Sequence, residues 1–84
     1  MEEVLKNNLK RALALISGSD WEGAHNLIQD NSDKLSCLIH AYLHREEGDA
    51  ANAAYWYRQA GEKFPNNSLQ EEFLRLESMI NEYS

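Results

Sequence analysis

Apolar residues in this chain recur three and four positions apart in five stretches, each bounded by glycine, proline or a Ser/Asn/Asp cluster. That spacing gathers apolar side chains on one face of a helix, and no stretch shows the two-residue alternation of a half-buried strand. The clearest stretch is Leu69, Phe73, Leu76, Ile80 and Tyr83, at steps of four, three, four and three. Ser68 and Glu71 precede it at the separation of a capping box. A first helix is expected over Glu2 to Ser17, carried by Leu5, Leu9, Ala12, Leu13 and Ile16 and closed at Ser17-Gly18 by a left-handed glycine. A second opens with Ser19 as N-cap and Glu22 three residues on, and presents Trp21, Ala24 and Ile28.

The third helix is expected from about Asp33 to Glu47. Leu35, Leu38, Ile39, Tyr42 and Leu43 share one face; Cys37, His40, Ala41 and His44 share the other. Small and half-apolar residues on both sides are the mark of a helix held between two neighbours. Its leucine side is expected against the second helix and its imidazole side against the fourth. That fourth helix, Ala50 to Lys63 behind an Asp49 cap, carries a stripe of Ala50, Ala53, Ala54, Tyr57, Ala60, Gly61 and Phe64. Short turns make consecutive helices antiparallel neighbours. The expected fold is therefore all-α: one domain over residues 1–84, built as a right-handed stack of two antiparallel helical hairpins plus a C-terminal capping helix.

Composition narrows the partners. Eight basic residues face fourteen acidic ones, for a net charge of −6, and no lysine–arginine stripe runs along any face, which argues against nucleic acid. No apolar run approaches the roughly 20 residues of a membrane span. The opening residues are acidic where a secretory leader would be basic, and the single cysteine, Cys37, has no internal partner. A cytoplasmic protein is the expectation.

The segment Gly48-Asp49, Ala53, Tyr57, Ala60 and Pro65-Asn66-Asn67 resembles the second half of a tetratricopeptide repeat, in which a Gly-Asp turn precedes small, aromatic, small and proline positions at these separations. Ser19-Asp20-Trp21, Ala24 and Ile28 echo it 29 residues upstream, against the usual period of about 34. Cys37, His40, Ala41 and His44 stand where the repeat's first half carries large apolar, leucine, glycine and tyrosine positions. The likeness spans about residues 19–67 and implies helical hairpins that dock other chains. The run from His40 to Gly61, with its HAYLHR, EGD and YWYR pieces, also resembles the hallmark box of a family of small uncharacterised proteins, which implies no particular chemistry.

Two polar groups stand out. Asn52, Tyr55, Trp56 and Gln59 fall largely on the outer side of the fourth helix, away from its alanines. Arg58 offers either a pair with Glu62 at i+4 or a bidentate hold on a carboxylate, so the docking face is expected around Asn52, Tyr55, Trp56 and Arg58. Aromatic rings with polar handles, beside a guanidinium, suit a peptide or partner segment. His40 and His44, four apart, project from one helix face as metal ligands do, with Glu47 one turn further and His25 on the helix before. Zinc would accept that set, yet imidazoles hydrogen-bonded inside a core give the same spacing. Cys37 reads as a small buried hydrophobe, and the runs Glu46-Glu47 and Glu71-Glu72 as solvated faces. Two hairpins are fewer than free-standing stacks usually hold, so a homodimer through Leu15 or Leu74 is a further expectation.

Overall fold

A computed structural model describes residues 2–83. It contains five α-helices, α1 Glu2–Ser17, α2 Trp21–Ile28, α3 Lys34–Glu46, α4 Ala50–Gln59 and α5 Leu69–Glu82, and no strand among the described residues. The N-terminal caps follow from short acceptor side chains. Asp20, Asp33, Asp49 and Ser68 each take a backbone N–H three residues on, and Ser68 with Glu71 completes the expected capping box.

The first turn is built differently from the expectation. Asp20, not Ser19, caps α2, and the left-handed residue that closes α1 is Ser19 at φ 64°, not Gly18. Ser19 N–H donates to the Ile16 carbonyl and Asp20 N–H to that of Leu15, which are the paired bonds of a Schellman closure. The α3–α4 turn repeats this device with Gly48 at φ 85° and Asp49 as the next cap. A third closure at Gly61, φ 78°, stops α4 at Gln59, four residues short of the expected Lys63. Phe64 consequently leaves the α4 stripe and is 42% exposed.

Helix α3 is the axle of the domain. Every residue from Leu35 to His44 is buried, and α3 packs against all four other helices, while α1 also packs on α2 and on α5. Leu9, Ala12, Leu13 and Ile16 of α1, Ala24 and Ile28 of α2, Ala53 and Tyr57 of α4, and Leu76 and Ile80 of α5 complete one core around it. The apolar side of α3 meets more than α2: Tyr42 lies 6.0 Å from the Phe73 ring of α5. Leu15, expected to be free for a second copy, is half-buried against the core, whereas Leu74 is 55% exposed. The indole N–H of Trp21 donates to the Leu43 carbonyl at 2.7 Å and ties α2 to α3.

The expectation of a solvated Glu71-Glu72 pair holds for Glu71 only. Glu72 is wholly buried, three residues after Leu69 and four before Leu76, and so lies on the apolar face of α5. Its Oε1 accepts from Asn67 Nδ2 at 2.9 Å and Arg75 Nε at 2.8 Å; its Oε2 accepts from the Tyr57 hydroxyl at 2.8 Å and Arg75 Nη2 at 2.9 Å. Arg45 donates to the Tyr57 hydroxyl and to both the side chain and the backbone carbonyl of Asn67. Glu62 joins Arg75 at 3.0 Å and Lys34 at 3.3 Å, so of the two roles open to Arg58 the pair with Glu62 is not made. The network welds α3, α4, the Pro65–Asn67 turn and α5 together, and no solvent-excluded side-chain nitrogen or oxygen among the described residues lacks a partner.

Candidate functional site

The three histidines converge. His40 and His44 occupy one side of α3 because they are four residues apart, and His25 reaches them from α2. Ring centroids are 4.6 Å apart for His25–His40, 4.9 Å for His40–His44 and 5.6 Å for His25–His44. His40 and His44 are buried and His25 is half-buried. Two indoles bracket the cluster: Trp21 stacks on His25 at 4.8 Å, and Trp56 stacks on His40 at 3.9 Å with 14° between the planes.

This arrangement corrects two expectations. The imidazole side of α3 faces both α2 and α4, and on α4 it meets an indole instead of alanines. Trp56 belongs with Ala53, Tyr57 and Ala60 at steps of three, one and three, so it turns inward beside them; of the expected docking face, only Asn52, Tyr55 and Arg58 keep to the outside.

Hydrogen bonding divides the imidazoles. His44 Nδ1 pairs with Glu47 Oε1 at 2.5 Å, which directs the other nitrogen, Nε2, away from the carboxylate. Neither ring nitrogen of His25 or His40 has a hydrogen-bond partner among the described residues. Since no solvent-excluded nitrogen is unpartnered, those of His40 lie at an edge that water reaches, although only 5% of the residue is exposed. Burial, with the neighbouring His25 and His44 adding to it, lowers the His40 pKa to about 4. Burial followed by His44 lowers that of His25, opposed by Glu47. Both rings are therefore neutral at pH 7, with lone pairs available.

The outward side of α4 is simpler. Asn52 donates its amide to Asp49 and so serves the helix cap. Tyr55 is 44% exposed and sits edge-on to Trp56, with ring centroids 5.0 Å apart. Arg58 is exposed and makes no hydrogen bond among the described residues. Cys37 is a poor nucleophile: it is 2% exposed, its thiol donates to the Ser32 carbonyl, and burial, then Asp33, raises its pKa.

Sequence reasoning had selected all three histidines, Glu47 and the α4 aromatics, and it missed Trp21 as a wall of the cluster. Trp21 and His25 are themselves four apart, which was the available signal. Comparison with family models, curated proteins and solved structures yields no match. Among the described residues, no helix is long and apolar enough to cross a membrane.

Proposed function

We propose that the chain is a small, non-catalytic protein-interaction module of the cytoplasm. In this reading α1/α2 and α3/α4 are two tetratricopeptide-like hairpins in a right-handed stack, capped by α5. A peptide or partner segment docks on the outward side of α4 around Asn52, Tyr55, Trp56 and Arg58.

The observation that carries the reading is the ledge formed by Tyr55. Its exposed ring stands edge-on to Trp56, which in turn lies flat on the buried His40. A large aromatic surface held by packing loses little freedom when a partner covers it, which is what binding anchors require. The adjacent Arg58 offers a bidentate hold on a carboxylate, and a free buried cysteine suits a reducing compartment. Exposed Leu74 on α5 supports contact with a second copy, on a different helix from the ledge.

Partner capture by wild type, Tyr55→Ala and Arg58→Ala tests this. Both side chains are exposed, so far-UV dichroism and melting should hold while capture falls at least tenfold. Undiminished capture by both variants would refute the docking face. A sedimenting monomer at high concentration would remove the homodimer.

A further inference from the structure

We propose that His25, His40 and His44 form a three-nitrogen site for a divalent transition metal, zinc above all, with Glu47 orienting His44 from behind and a fourth position left to water or a ligand. The site adjoins the docking ledge through the stack of Trp56 on His40, but none of its ligands belongs to the ledge.

Geometry is the first argument. The ligating nitrogens of the three rings all lie within 4.8 Å of one another. A tetrahedral zinc with bonds of about 2.0–2.1 Å sets its nitrogens roughly 3.4 Å apart and its imidazole centroids roughly 5 Å apart. The observed centroid separations of 4.6, 4.9 and 5.6 Å bracket that value. Closing the nitrogens on an ion therefore takes small ring rotations, not movement of helices.

The second argument is the hydrogen bonding. No other residue among those described engages the nitrogens of His25 and His40, and those of His40 lie at an edge that water reaches, so an ion can approach them. His44 does have a partner, in the form metal sites use: a carboxylate on Nδ1, leaving Nε2 to coordinate. Three imidazoles select zinc and its neighbours in the first transition row over calcium or magnesium, which prefer oxygen.

A rival grouping of His44, Glu47 and Asp49 lies beside it. It is the weaker candidate because Glu47 already engages His44, and Asp49 accepts bonds from the Asn52 backbone and side chain.

The test is calorimetric titration of the metal-stripped full chain with zinc alone, read together with thermal melting. Wild type should bind one zinc per chain at micromolar or tighter affinity, and its melting temperature should rise with zinc but not with magnesium. His25→Gln, at the half-buried position, should weaken binding at least 100-fold, and Glu47→Gln 10- to 100-fold. Absence of a one-to-one isotherm in folded wild type would overturn the site. So would undiminished binding by His25→Gln, which would also transfer the ion to the acidic grouping if Glu47→Gln alone abolished it. Should His25→Gln fail to fold, Glu47→Gln, at an exposed position, decides by degree: a 10- to 100-fold loss supports the three imidazoles, and undiminished or abolished binding overturns them.

Discussion

Replacing Glu72 by glutamine should be among the most damaging conservative changes in the molecule. The carboxylate is wholly buried, and each of its oxygens receives two donors. Glutamine keeps the shape but turns one oxygen into a donor, which then faces two donors, and it removes the charge opposite Arg75. Losing one partner of a buried ion pair costs about 3–5 kcal/mol. A domain of 84 residues has a total stability of about 4–13 kcal/mol, so this change removes a large share of it. At about 4–8 °C per kcal/mol, the melting temperature should fall by about 12–40 °C. The control is the adjacent carboxylate. Glu71→Gln retains an acceptor for the Ser68 N–H at the capping box and should cost less than about 1 kcal/mol. Urea unfolding followed by dichroism at 222 nm measures both. A Glu72→Gln midpoint within 1 kcal/mol of wild type, or equal effects at the two positions, would refute the account of the buried network.

The same residue sets a pH dependence. Burial alone would raise the Glu72 pKa, but hydrogen bonds from Arg75, Asn67 and Tyr57 outweigh it and hold the carboxyl below its ordinary value. The unfolded chain thus takes up the proton first; the contribution is complete above the unfolded value of about 4.3 and is lost as pH falls through the folded one. Urea midpoints from pH 6 to pH 3 should fall, and less steeply in Glu72→Gln; an identical slope in both proteins would be the contrary result. Ser19→Gly should stabilise by about 0.5–1 kcal/mol because φ is 64° there, while Gly48→Ala at φ 85° should cost about 1 kcal/mol. Opposite signs in a denaturant series would contradict the two Schellman closures. Trp21→Phe removes the bond to the Leu43 carbonyl and should cost about 1–2 kcal/mol; because the Glu47 N–H still reaches that carbonyl, a much larger loss would point to packing instead.

Helix number and most helix starts were legible because apolar spacing and cap residues act locally. Leu69 to Tyr83 behind Ser68 needed no tertiary information at all. The stop of α4 was misread because a glycine within an alanine stripe fits a close helix contact as well as a left-handed closure, and only the backbone bonds at Gly61 and Glu62 decide between them. Of the candidate site, the convergence of His40 with His44 follows from their spacing, while the arrival of His25 depends on how α2 crosses α3. Glu72 was misread through its neighbour. A Glu-Glu pair looks solvated, yet a step of three from Leu69 and four to Leu76 places the second member on the inner face. The partners that make its burial tolerable, Tyr57, Asn67 and Arg75, are respectively 15, 5 and 3 residues away and share no local pattern.

The weld around Arg45 and Asn67 has a consequence for how the molecule comes apart. Peeling the last helix away would strip Tyr57 and Asn67 of their shared acceptor, Glu72, and open the floor beneath α3 at the same moment. The last helix is thus no detachable lid but a keystone, and amide exchange in α3 and α5 should proceed through a shared opening event. A fragment ending at the proline turn should persist as a loosened globule, not as a shorter version of the same fold.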